Sequence, residues 1–379
     1  MDSCDILIVG GGPAGSSCAW GLRSSNLDVV IADRATFPRE KLCGGWITPQ
    51  VLQALEINPT EYANAGNRDA RILQPITGFR VSCLGQPDVA VHYGRAVSYG
   101  IRRCEFDNYL LRRCGARLRE GKAVNSIEQT RDGDIVVNGE IKTRLLVGAG
   151  GHFCPVSRWM GNHDHVTPVL AQEIEFEMDE GQAAGCAFSG EVPELFFCRD
   201  IRGYGWVFRK GNYLNIGLGR LDKHALGGHM SGFVQSLRRE GKLGFDLPSR
   251  PGGHAYLLFG HSQRKLVGDG VILIGDAAGL AYSQSGEGIR TAVESGLIAA
   301  EVIRGAAGKY GRERLQPYIE HLQHRFHNGS GKWEALGRHV PRAVRDACAR
   351  LLLRNRRFCR DVIVESWFLH RGDQALSFS

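Results

Sequence analysis

The sequence predicts an α/β fold: a Rossmann-type domain, an antiparallel sheet inserted into it, and a helical C-terminal region. Three observations predict it. A glycine-rich turn joins two short apolar runs before residue 33, and the residue period shortens from about Val166 to Phe259. From Gly311 onward the chain is helical in pattern and rich in arginine. At 379 residues it is long for one core, and about two domains are expected.

The first unit is β-α-β. Ile6-Leu7-Ile8-Val9 is an apolar run of a strand's length, a helical pattern follows from about Ala14 to Leu22, and Val29-Val30-Ile31-Ala32 ends at Asp33. This is the smallest unit of a parallel sheet. A helix is expected from Arg103 to Arg119, then strands at Val124 to Ile127, Ile135 to Val137 and Leu145 to Val147. The alternation in Ile174-Glu175-Phe176-Glu177-Met178 is that of a half-buried strand. Leu195 to Cys198, Tyr204 to Phe208 and Leu214 to Leu218 continue an antiparallel sheet, the last two joined by a turn at Lys210-Gly211-Asn212. Val271 to Ile274 and a helix from about Gly288 restore the α/β pattern. The expected division is residues 1–165 with 261–310 for a discontinuous nucleotide-binding domain, 166–260 for a substrate-binding sheet, and 311–379 for C-terminal helices.

Composition narrows the function. A net charge of +7 is mild for this length; it suits an anionic cofactor, substrate or membrane surface and does not indicate nucleic-acid binding. Eleven scattered cysteines without CxxC spacing predict reduced thiols and a cytoplasmic protein rather than a disulfide scaffold. No stretch approaches the ~18 apolar residues of a membrane span, and the N-terminal apolar run lacks the basic flank of a signal peptide.

The chemistry starts at Gly10-Gly11-Gly12-Pro13-Ala14-Gly15. Gly10 permits the tight turn, Gly12 lets the backbone approach a pyrophosphate, and Gly15 allows close helix–strand packing. The helix opened by Pro13 and Ala14 offers free N–H groups to phosphates. Asp33 is placed for the adenosine ribose, and Arg34 beside it is a further cofactor candidate. This turn alone does not separate FAD from NAD. The distant Gly275-Asp276-Ala277-Ala278-Gly279, followed by Ser285-Gly286-Glu287-Gly288-Ile289, decides for FAD. Asp276 at a strand end can reach a ribityl hydroxyl. Gly275, Gly286, Gly288 and Ile289 bring the next helix's N-terminus to the flavin pyrimidine, which is anionic when reduced. The first domain is therefore expected to be a Rossmann-type FAD-binding domain.

These residues, with Phe37-Pro38-Arg39-Glu40-Lys41-Leu42-Cys43-Gly44-Gly45 and Arg103-Cys104-Glu105-Phe106-Asp107, resemble the para-hydroxybenzoate-hydroxylase-fold flavoproteins. Within them the chain is similar to the geranylgeranyl reductase branch, from Asp5 to about Gly296. The resemblance implies that Cys43, Gly44 and Gly45 lie beside the isoalloxazine and that Arg103 contacts the cofactor. Gly203-Tyr204-Gly205-Trp206-Val207-Phe208 is similar to that branch's Tyr-x-Trp-x-Phe-Pro motif. Tyr204, Trp206 and Phe208 alternate, so they share one strand face, and the resemblance makes them substrate-binding; a core-facing role is the other reading. The sequence departs from the family at Gly150, where the superfamily carries Asp, and at Ser283 and Arg209, where proline is usual.

The resemblance implies an FAD-dependent oxidoreductase that reduces carbon–carbon double bonds of a hydrophobic, isoprenoid substrate. NAD(P)H or another reductant is the electron donor, and Cys43 is a conceivable proton donor. Two alternatives share the fold: a single-component monooxygenase acting on an aromatic or polyketide-like substrate, and a flavin-dependent halogenase. Halogenases also need a catalytic lysine, for which no candidate stands out. His321, His324 and His327 recur every three residues, but no carboxylate or cysteine joins them at ligand spacing, and no metal is expected. The basic stretch from Arg338 to Arg360 suits a peripheral contact with an anionic membrane, and equally a helix packed on the domain with solvated arginines.

Overall fold

Ile6, Leu7 and Ile8 are consecutive and fully buried, so the strand that carries them, β1 (Asp2–Val9), is covered on both faces. In the computed structural model, which describes residues 1–64, 70–162, 168–222, 225–261, 263–326 and 341–377, this strand leads into α1 (Pro13–Leu22) and on to a parallel β2 (Val29–Asp33). A hairpin of β3 (Gly78–Cys83) and β4 (Val89–His92) follows, then α2 (Arg103–Arg113), β5 (Arg117–Glu120) and β6 (Ile141–Gly148). The helix expected to reach Arg119 stops at Arg113. Gly115 takes a positive φ of 82°, the left-handed turn that ends helices, and the chain straightens into β5 alongside β2. The strand expected at 124–127 forms at Ile127–Gln129.

The middle of the chain supplies β7 (Val169–Glu177), β8 (Glu194–Phe197), β9 (Gly203–Lys210), β10 (Tyr213–Arg220) and β11 (Gly252–Tyr256). The last part supplies β12 (Val271–Leu273), α3 (Ile289–Gly305), α4 (Pro317–Phe326), α5 (Arg342–Leu352) and a π-helical segment, Cys359–Phe368.

Two principal sheets result. The first runs β12–β6–β1–β2–β5, all parallel, with short antiparallel additions. The second runs β11–β7–β10–β9–β8–β3–β4 and is antiparallel except where β8 meets β3. The second sheet therefore extends beyond the expected 166–260. Its last two strands come from the stretch assigned to the first domain, because Phe79, Val81 and Cys83 need a buried face and find it beside Leu195 and Phe197.

α1 and α3 cross at backbone distance. A Cβ on Gly296 would fall 2.3 Å from the Ala14 carbonyl oxygen, so both glycine-rich termini end up on one side of the first sheet. One face of the second sheet carries Ile174, Val207 and Ile216 and is covered by the helix Leu226–Arg239 through Met230, Phe233 and Leu237. The other face turns toward the first domain and builds the site. Behind it, the buried Arg290–Glu294 pair is joined by Arg325, and both arginines donate to the Gln374 carbonyl, pinning the C-terminal segment. Among the described residues all eleven cysteines are unpaired, and no helix is long and apolar enough to cross a membrane.

Candidate active site

The glycine turn sits at the C-terminal end of the parallel sheet, where open α/β folds bind ligands. Gly10 has a φ of 117°, and a Cβ there would lie 2.4 Å from the Ala149 carbonyl oxygen, so no other residue fits. Gly12 caps α1 in extended conformation ahead of Pro13 and Ala14. Asp33 accepts the Gly11 and Ala35 N–H groups at 2.7 and 2.8 Å, which fixes its carboxylate at the lip of the turn. Arg34 is exposed beyond it.

Arg103 is buried, and its guanidinium forks onto Asp107 at 2.8 and 2.7 Å. The same carboxylate holds Arg39 at 3.2 Å. Two guanidiniums on one carboxylate leave a net positive charge. Arg39 Nη1 is buried without a hydrogen-bond partner, and its Nη2 lies 3.4 Å from where a Gly12 Cβ would be. A half-satisfied guanidinium over the amide end of a helix fits an anionic diphosphate. Arg39 was legible only as part of a motif; its pairing through Asp107 is what distinguishes it. Arg103 also lies within hydrogen-bonding reach of the Cys43 thiol.

At the other end, Gly275-Asp276 follows β12, and Asp276 Oδ1 lies 3.3 Å from where a Cβ on Gly288, the residue capping α3, would be. Gly286 has a φ of 69°, and a Cβ there would overlap the Tyr256 hydroxyl at 2.4 Å. Ile289 starts α3 and lines the same cavity as Cys43, Gly44, Gly286 and Gly288. The two motifs, some 265 residues apart in sequence, are brought together at Ala14, whose Cβ lies 2.8 Å from where a Cβ on Gly275 would be.

The facing wall is the second sheet, and its register explains the cavity. One row across the sheet reads Leu195, Trp206, Gly217, Glu173, Gly252; the next reads Phe197, Tyr204, Gly219, Ala171, His254. Glycine at 217 lets the Trp206 ring lie flat across its neighbour strand toward Glu173, since a Cβ there would be 2.2 Å from that ring. Tyr204 and Trp206 are in ring contact at 5.9 Å, Phe208 stacks near Trp46 at 6.4 Å, and Phe368 from the π-helical segment closes on Tyr204 at 5.5 Å. Trp206 Nε1 donates to Asn215 Oδ1 at 2.8 Å, and Asn215 Nδ2 donates to the Cys43 carbonyl at 3.2 Å. Tyr204 donates its hydroxyl proton to the Ser285 carbonyl. The three expected aromatics therefore meet Gly286, Gly288 and Ile289 around Cys43 and Gly44, while the Gly10–Gly15 turn does not line that cavity.

The cavity also holds titratable groups that the sequence reading passed over. Burial pushes the Glu173 carboxyl up to about 8, only partly offset by the charge of Lys210. Burial pushes Glu287 up to about 7. It pushes His254 down to about 3, so that imidazole is neutral at ordinary pH, and it raises Tyr256 above the usual phenol range. Glu173 Oε2, Glu287 Oε2 and His254 Nδ1 are buried without partners. Lys210 is the buried lysine of this face, but it is ion-paired with Glu175 and packs on Gly45. His321 and His324 are exposed on α4; His327, with Arg338, lies outside the described residues, and no group of metal ligands occurs among those described.

A parallel sheet with this turn, an acid at the end of its second strand and a second glycine motif at α3, faced by an antiparallel sheet, is the arrangement of an FAD-dependent oxidoreductase. Residues 8–55 match the NAD(P)-binding Rossmann-like domain family. The chain is 30% identical over 330 residues to a menaquinone reductase of Mycobacterium tuberculosis, covering 80% of this chain and 77% of that one. It is 26% identical over 339 residues to a digeranylgeranylglycerophospholipid reductase of Methanococcus vannielii, covering 84% and 81%. The crystal structure of a geranylgeranyl bacteriochlorophyll reductase-like protein from Thermoplasma acidophilum superposes with a TM-score of 0.71 at 21% identity, over 93% of this chain and 88% of that one. The chain belongs to the geranylgeranyl reductase-like branch of the FAD-dependent oxidoreductases.

Proposed function

We propose that this enzyme reduces carbon–carbon double bonds in a hydrophobic, isoprenoid-bearing substrate held against Tyr204, Trp206 and Phe208. The observation that carries the reading is the second sheet's inner face: aromatic rings and glycines surround one carboxyl group opposite the Cys43-Gly44-Gly45 loop. Such a wall takes a long apolar chain by burial, at roughly 25 cal/mol per Å² of apolar surface. Both curated relatives above are named as reductases of lipid-borne molecules, which supports the same reading.

FAD, when bound, supplies the hydride, after reduction by NAD(P)H or another donor. Gly10, Gly12, Pro13, Ala14, Gly15 and Asp33 hold its adenosine and diphosphate end, with Arg34 at the rim and Arg39 and Arg103 alongside. Gly275, Asp276, Gly286, Gly288 and Ile289 hold its ribityl and ring end. Cys43 and Gly44 border the ring, and the Asn215 bridge fixes that border relative to Trp206.

The substrate reaches the site from a membrane surface. α5 exposes Val344, Leu351 and Leu352, the last two 68% and 43% accessible, and Arg345, Arg354, Arg356 and Arg357 are exposed around them. Apolar side chains ringed by arginine suit an anionic bilayer. The chain then runs through the π-helical segment to Phe368 at the cavity. The test is product analysis by mass spectrometry after incubation with a geranylgeranyl lipid, reductant, and isotopically labelled oxygen or halide. Gain of two hydrogens supports the reading. Incorporation of labelled oxygen replaces it with the monooxygenase, and incorporation of halogen with the halogenase.

A further inference from the structure

Reduction of an alkene needs a proton as well as a hydride, and the cavity contains an unused acid. Glu173 is 1% exposed, in the centre of the wall that faces the flavin motifs, and its Oε2 has no hydrogen-bond partner. Its cross-strand neighbours on either side are Gly217 and Gly252. Over Gly217 lies the Trp206 ring, and a Cβ on Gly252 would lie 2.7 Å from Leu42, the residue before Cys43. The carboxyl therefore sits in a slot with an aromatic ring on one side and the Cys43 loop on the other.

We propose that Glu173 is the general acid that protonates the substrate carbon, a role that rests on the alkene-reductase reading above. The hydride from the reduced flavin and its electron pair form one C–H bond. The alkene π pair forms the other with the Glu173 proton, and the flavin is left oxidised. Glu173, left as carboxylate, regains its proton from solvent.

The groups that face Glu173 decide that it is the proton carrier. Lys210 on β9 favours the carboxylate but is held by Glu175, which in turn opposes ionisation; Lys41 and Arg103 on the Cys43 side favour it more weakly. Desolvation exceeds all of these, and the group holds its proton through neutrality. On β11, His254 is already neutral and has no acidic proton to give near pH 7, and the Tyr256 phenol is raised beyond its usual range. Glu287, the remaining acid, spends its Oε1 on the Arg290 N–H at the start of α3. An acid whose proton affinity lies near working pH is the kind that general catalysis requires.

The experiment compares FAD-loaded wild type, E173Q and E287Q. Each is reduced anaerobically with dithionite and mixed with a geranylgeranyl lipid in detergent, from pH 6 to 9. Infrared spectra of the same samples record the protonated-carboxyl carbonyl band. The expected result is that E173Q retains FAD and is reduced by dithionite as wild type is. It should be reoxidised by the alkene roughly 10²-fold more slowly or worse, lose the wild-type fall in rate above about pH 8, and lose one carboxyl band. A wild-type rate and pH limb in E173Q, or a limb that disappears in E287Q instead, overturns the proposal and leaves the reductase reading standing. A carboxyl band unchanged in E173Q overturns it independently of turnover. Wild-type enzyme that the geranylgeranyl lipid does not reoxidise overturns the reductase reading and this role together.

Discussion

Replacing Asn215 with leucine should weaken both the fold and the site, by an amount that can be worked out. Asn215 is fully buried, and it accepts the Trp206 indole N–H at 2.8 Å while donating to the Cys43 carbonyl at 3.2 Å. Leucine fills the space and leaves the indole N–H without an acceptor and the carbonyl without its donor. An unsatisfied buried polar group costs about 1–3 kcal/mol, so the pair should cost ~3 kcal/mol. At the usual unfolding entropy per residue, a chain of this length should then melt about 4 °C lower. A double-mutant cycle with Trp206→Phe isolates the mechanism, because phenylalanine has no N–H to strand. The leucine substitution should cost roughly 1 kcal/mol less in the phenylalanine background than in wild type. Strict additivity, or an unchanged melting temperature for Asn215→Leu, refutes the claim that Asn215 ties the aromatic strand to the Cys43 loop.

Other outcomes follow from the same geometry. Arg39→Ala should weaken FAD binding about tenfold or more while leaving the melting temperature of FAD-free protein nearly unchanged, as fluorescence titration would record; unaltered affinity removes Arg39 from the diphosphate site. Gly12→Val should abolish FAD retention on purification, since its side chain occupies the approach of the phosphates; full occupancy contradicts the cofactor assignment. The contribution of Glu173 to stability should fall with rising pH. Glu173 is raised by burial to about 8, so the folded state binds its proton more tightly than the unfolded state does. That contribution is complete below about pH 4.5 and is lost as pH rises through about 8. Urea midpoints measured from pH 5 to 9 should fall less steeply in E173Q, and identical slopes would disprove the shift. Leu351→Glu with Leu352→Glu should abolish co-sedimentation with anionic phospholipid vesicles; retained binding rules out α5 as the contact.

Much of the first domain was legible because its constraints are local. A turn that admits only glycine, a helix that must start at once, and an acid closing the next strand all lie within consecutive residues. The second sheet was legible in kind but not in extent. β3 and β4 join it through a long-range pairing with β8, which no local period announces.

The face of the second sheet that lines the cavity was hidden for a different reason. Alternation on β7 separates Ile174, Phe176 and Met178 from Glu173, Glu175 and Glu177, and sequence logic assigns the acidic side to water. Glu173 faces the other domain instead, Glu175 is held by Lys210, and of the three only Glu177 is exposed. Only the tertiary arrangement turns Glu173 from a surface residue into a buried acid. Arg39 and Asn215 were equally mute, since their meaning lies in partners 68 and 172 residues away.

The most direct test of the account is anaerobic stopped-flow reoxidation of the reduced holoenzyme by a geranylgeranyl lipid. The account predicts that the oxidised flavin spectrum returns without oxygen, in step with formation of a product heavier by two hydrogens. A reduced flavin that stays reduced until oxygen is admitted, and then forms an oxygenated or halogenated product, would contradict it.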